Sequence, residues 1–115
     1  MKTEEFKEQA LSFPNTIEAP HFDRRAFKVV NKRIFATLHE ESGTANLKLS
    51  LSDQTFFCNL NRKAIYPVPN KWGEQGWTTF NLEKIESGLM MDALNTAFNE
   101  IFKGKKGKGT ANKTG

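Results

Sequence analysis

Two histidines, one cysteine, an isolated strand lysine and two tryptophans are the side chains from which this 115-residue chain could build chemistry. His21 lies between Pro20 and Phe22. To act as a general base it would need a nucleophile or acid within hydrogen-bond reach. The sequence holds no Gly-x-Ser-x-Gly elbow and no Cys/His pair of recognised spacing. A structural histidine bonded to a backbone carbonyl is the simpler expectation. His39 precedes Glu40 and Glu41 at a strand end, where water solvates it, and its separation from His21 is no metal-ligand spacing. Cys58 follows Phe56 and Phe57 in a helical stretch and reads as a buried, inert thiol. Glu4 and Glu8 stand one helical turn apart with Lys7 between them, the pattern of a solvated face. The chain is expected to be non-enzymatic, with no catalytic residue, no metal and no cofactor.

Binding is the better-supported chemistry. The stretch NKWGEQGWTTF holds both tryptophans, Trp72 and Trp77, around Gly73 and Gly76. Stacking a base on an aromatic ring is worth about 1–3 kcal/mol. Trp77 is expected to open a strand and be held by the core, leaving Trp72 as the partly exposed ring. Arg24, Arg25, Lys28, Lys32 and Arg33 form a basic cluster opposed locally by Asp23, and such charges can follow a phosphate backbone. Lys48, flanked by Leu47 and Leu49, is a lone charge in a strand and a candidate ligand contact.

The net charge of +4 does not carry that reading alone. Residues 103–115 contribute five lysines and no acid, and the other 12 basic and 13 acidic residues balance at −1. The basic character of the whole chain therefore belongs to its tail. One cysteine excludes an internal disulfide framework and fits a reducing cytoplasm. No apolar run approaches the roughly 20 residues that span a bilayer.

The elements that must position these residues follow from periodicity. Thr3, Glu4 and Glu5 open a first helix, and Pro14 ends it. PNTIEAPHFD reads as a connector with two prolines. AFKVVNKRIFATLHEE reads as a β-hairpin turning at Asn31-Lys32, and SGTAN as a second turn. LKLSL alternates, with Leu47, Leu49 and Leu51 on one face. Ser50 or Ser52 caps a short helix that turns Phe56, Phe57 and Leu60 inward. AIYPVP is extended, and its prolines suit an edge strand or a strand end rather than a central strand, because proline cannot donate to a ladder. WTTFNL is the last strand, with Trp77, Thr79 and Asn81 on one face. Leu89, Met90, Ala93, Leu94, Ala97, Phe98, Ile101 and Phe102 stripe a final helix. The result is one α+β domain over residues 1–103, an antiparallel sheet packed on one face by N- and C-terminal helices. A disordered Gly/Lys-rich tail occupies 104–115.

Pro20-His21-Phe22, Lys32 with Ile34-Phe35-Ala36, Leu47-Lys48-Leu49, YPVP and Gly76-Trp77, in that order, resemble the YjbR/MmcQ-like family of small bacterial proteins over residues 3–103. The resemblance implies a double-wing fold similar to the CyaY/frataxin arrangement. DNA binding is the activity usually suggested for that family, and the resemblance supplies no catalytic residue. The leading expectation is non-sequence-specific nucleic-acid (DNA) binding through the basic hairpin. Arg24, Arg25, Lys28, Lys32, Arg33, Lys48 and Trp72 would be the contacts. The alternatives are a protein partner added at the sheet edge near Pro67 and Pro69, and an enzyme built around His21 and Lys48. No membrane and no metal partner is expected.

Overall fold

A computed structural model describes residues 1–103, so the expected tail at 104–115 lies outside the described residues. Helix α1 (Thr3–Leu11) carries Glu4 and Glu5 in its first turn, where the positive end of the peptide dipoles favours acids. Lys2, not Thr3, is its N-cap residue. Phe6 and Ala10, one turn apart, are buried on its inner face.

The expected connector after α1 is a strand instead, β1 (Thr16–His21), paired antiparallel with β2 (Arg24–Val29). Its proline is compatible with this because β1 is an edge strand, where a missing N–H faces solvent. Next come β3 (Ile34–His39), β4 (Thr44–Lys48), α2 (Leu51–Leu60), β5 (Ile65–Pro67), α3 (Lys71–Glu74), β6 (Trp77–Asn81) and α4 (Ser87–Ile101). The strands form one six-stranded antiparallel sheet in the order β1-β2-β3-β4-β6-β5. Asn31 takes φ 65° in the β2–β3 turn, which Lys32 N–H closes onto the Val29 carbonyl.

Register assigns every side chain to a face. Phe27, Ala36, Leu47 and Thr78 are successive partners across β2, β3, β4 and β6, as are Leu38, Ala45 and Phe80 across β3, β4 and β6. This face is covered by helices: Phe27 meets Phe6 of α1, and Phe80 meets Phe57 of α2. The pairing slips between Phe27 and Lys28, leaving Phe35 as an extra residue on β3. A bulge lets two successive side chains share a face. Phe35 thereby joins Ala36 in the core, against Phe13 and Phe98, and Ile34 turns to the opposite side. Met90, Ala93, Leu94 and Ala97 bury the inner stripe of α4.

Helix α2 is capped by Ser50, which accepts from Asp53 N–H at 3.1 Å. Only part of its expected inward face is buried. Phe57 is in the core, whereas Phe56 is 58 % exposed and Leu60 and Leu51 also face solvent. Leu51 does not continue the alternation of Leu47 and Leu49, because β4 ends at Lys48 and the chain turns into α2. The polar Gln54 is buried instead: its amide donates to the Gly73 and Trp77 carbonyls and to Thr78 Oγ1. It thereby ties α2 to the tryptophan segment.

Candidate functional site

With α1, α2 and α4 on one face, the other face of the sheet is uncovered. Its middle row is Ala26, Thr37, Asn46, Thr79 and Tyr66, read off successive partners. Thr79 Oγ1 donates to Asn46 Oδ1 at 2.8 Å, and Arg24 reaches Thr37 Oγ1 at 3.4 Å. A cavity of about 430 Å³ lies on this row. Thr37, Asn46 and Ile34 form its floor; His21, Phe22, Asp23 and Arg24 contribute from the β1–β2 hairpin, and Val68, Trp72 and Trp77 from the far side. The hairpin tip lies at one end of the strands, and Trp77, partner of Lys48, at the opposite end. The cavity is therefore a trough running diagonally across the sheet with aromatic rings at both ends.

The tryptophan end is built by close backbone approach. Asn70 Oδ1 accepts from Trp72 N–H and caps α3. A Cβ at Gly73 would overlap the Val68 carbonyl oxygen, and one at Gly76 would overlap that of Leu49. Gly76 also has φ 107°, and its carbonyl accepts from Leu49 N–H at 3.0 Å. The result holds Trp72 58 % exposed beside the trough. Trp77 is half-buried and lies on the open face, since its row partner is Lys48 and its neighbour Thr78 faces the helices. It is a wall of the trough and not a core residue packed on a helix. Both rings therefore belong to one surface.

The basic cluster divides. Arg24 and Lys28 share the open face. Arg25 faces the helices and is held by Glu18, Nε to Oε2 2.6 Å, so it is not a free phosphate contact. Lys32 stands 5.3 Å over the Phe102 ring, a cation–π contact at the opposite end of the hairpin from Arg24. Arg33 lies beside it in the β2–β3 turn. Lys48 projects from the open face but turns back, its Nζ 3.4 Å from the Leu49 carbonyl. Burial pushes its ammonium below the ordinary lysine range, opposed by Glu100 and reinforced by Arg33. It does not line the trough with His21 and Trp72, so those three do not converge.

His21 is exposed at the end of β1, its ring 5.0 Å from that of Phe22. His39 is more engaged than its position suggests. Its Nδ1 is 2.7 Å from Ser42 Oγ and its Nε2 3.3 Å from Asp23 Oδ2, bringing together three residues that nothing in the sequence links. Ser42 N–H also points at Nδ1, which places the proton on Nε2 toward Asp23. The adjacent Gly43 N–H is spent on the His39 and Glu40 carbonyls and cannot serve an oxyanion. The trio latches the β3–β4 turn to the β1–β2 hairpin. Burial pushes the half-buried Cys58 thiol up, with Arg62 opposing, so little of it is thiolate. Among the described residues no cluster of three or more His, Cys, Asp or Glu could hold a metal, and no helix is long and apolar enough to cross a membrane. Both sheet edges carry prolines, Pro20 in β1 and Pro67 in β5, which counts against strand addition by a partner.

No curated protein matches this chain at a significant level. Among solved structures, the chain is similar to the Deinococcus radiodurans protein DR2400, described as carrying the DUF419 domain. The TM-score is 0.76 at 19 % identity, covering 93 % of this chain and 83 % of that one. That likeness shows the shared α+β fold. The family model for YjbR matches residues 11–100, and by that match the chain belongs to the YjbR family.

Proposed function

We propose that the protein binds single-stranded nucleic acid, DNA first, across the open face of its sheet, without sequence specificity and without catalysis. The observation that carries this reading is the diagonal trough, a floor of Thr37, Asn46 and Ile34 between the exposed rings of Phe22 and Trp72, with Arg24 on its wall. Open antiparallel sheets with exposed aromatics hold unpaired bases by stacking, and cationic side chains at the margin hold the phosphates. A duplex hides its base faces and would leave the rings unused. The nucleic-acid surface is thus the sheet face with Arg24 and Lys28, not the whole basic hairpin. Helix α4 buries its stripe against the sheet and is not a groove-reading helix. The half-buried thiol fits a reducing cytoplasm.

The test uses the full chain, so that the lysine-rich tail is constant across variants. A fluorescein-labelled oligo(dT) 12-mer is titrated at two salt concentrations. Wild type is expected to bind with an affinity that falls with salt and to show quenched tryptophan fluorescence. Trp72→Ala should weaken binding by about 1–3 kcal/mol. Arg24→Glu should weaken it and lower the logarithmic salt slope by about one. Equal binding by all three proteins would place the affinity in the tail and refute the reading.

A further inference from the structure

Phe22 is the most exposed large apolar side chain of the described residues, at 95 %. Among the described residues it is also one of three non-glycine residues with positive φ, at 60°. Its neighbours His21 and Arg24 are paired across the β1–β2 hairpin, so Phe22 and Asp23 form a two-residue turn. Turns of that length favour glycine, asparagine or aspartate where φ is positive. The other two positive-φ residues of this kind, Asn15 and Asn31, obey that preference. Phe22 breaks it, with a residue whose Cβ resists the left-handed region, and its ring packs against no core. Its ring neighbour is the exposed His21. Local chemistry and packing both argue against phenylalanine here. Backbone strain of this kind is maintained at ligand clamps. Phe22 also lines the same trough as Trp72.

Resting on the single-strand reading above, we infer that Phe22 is a binding residue: a strained hairpin tip that stacks one base at the end of the trough opposite Trp72. From β2 to β6 the trough crosses three strand spacings, about 14 Å. Sheet aromatics of RNA-binding domains stack two or three bases over comparable surfaces. The site is thus sized for a short run of unpaired nucleotides, with Phe22 and Trp72 as its terminal platforms and Arg24 between them on the backbone.

The test is Phe22→Gly in the full chain, read by oligo(dT) 12-mer anisotropy and by thermal unfolding, with Phe22→Trp as the variant that keeps an aromatic platform. Glycine removes the strain and the ring together. Phe22→Gly is expected to unfold several degrees higher than wild type and to bind roughly 5- to 150-fold more weakly, the loss of one stacked base. Phe22→Trp is expected to bind like wild type and to gain no stability. If Phe22→Gly binds like wild type while Trp72→Ala does not, Phe22 is no platform and the open-face reading stands. If wild type does not bind the oligonucleotide, both fall. If Phe22→Gly weakens binding but unfolds at a lower temperature, Phe22 acts through folding and the inference is overturned.

Discussion

Replacing Gly76 by alanine should damage this protein more than any other single methyl addition at its described glycines. Gly76 has φ 107°, where an L-residue loses roughly 1–2 kcal/mol. A Cβ there would overlap the Leu49 carbonyl oxygen, and Lys48 Nζ would lie 3.3 Å away. The obstacle is backbone at the β4–α2 junction, so relief requires moving a main chain, an overpacking cost of about 1–3 kcal/mol. Moving it also weakens the 3.0 Å bond from Leu49 N–H to the Gly76 carbonyl, worth about 0.5–1.5 kcal/mol. The total loss is about 3–6 kcal/mol, a large share of a small domain's stability. Gly88 is the control. It lies in the first turn of α4 with nothing within 4 Å of its Cβ position, so alanine there should be neutral or stabilising by up to about 1 kcal/mol. Urea unfolding, followed by far-UV circular dichroism and tryptophan fluorescence, measures both. A loss below about 1 kcal/mol for Gly76→Ala would refute the claim that this contact locks Trp72 and Trp77 in place.

Two further outcomes follow from burial and charge. Phe57→Ala should cost about 3–5 kcal/mol as a core truncation, whereas Phe56→Ala, on the exposed side of α2, should change stability by less than about 0.5 kcal/mol; chemical denaturation of the two variants decides it. Lys7 Nζ is 2.7 Å from Glu40 Oε2, which holds Lys7 above and Glu40 below their ordinary ranges, each mainly through that hydrogen bond. The Glu40 contribution is lost as pH falls through its depressed folded value, and the Lys7 contribution as pH rises through its raised one. Lys7→Met should therefore be less stable than wild type near neutral pH, with thermal midpoints converging in strong acid and strong alkali; a pH-independent difference would reject the pair as its source.

Much of the fold was legible because its signals are local. The α4 stripe, the alternation in β4 and β6, and the Ser50 cap each need only a few neighbouring residues. What escaped depends on partners distant in sequence. TIEAPH reads as a connector until β2 lies beside it, since Pro20 is tolerable in a strand only at an edge. The faces of α2 were misjudged because its one buried apolar side chain is Phe57. Its other inward position is Gln54, a polar residue made burial-competent by the Gly73, Trp77 and Thr78 groups it meets.

The same limit explains the site. The basic residues looked like one cluster because they are adjacent in sequence, but strand alternation sends Arg24 and Arg25 to opposite faces, and a strand's length separates Arg24 from Lys32 and Arg33. The two tryptophans looked like a core residue and a loop residue, but the sheet joins them on one open face. Phe22 attracted no functional expectation, because its two anomalies, positive φ and exposure, are properties of a folded turn. One signal was available: where the other positive-φ positions among the described residues are Asn15, Asn31, Gly43 and Gly76, a phenylalanine followed by aspartate between two pairable segments is the residue that breaks the local rule. A position where turn chemistry and burial both disfavour the residue present is where a ligand is the remaining physical reason for it, and Phe22 meets that condition at the end of the trough.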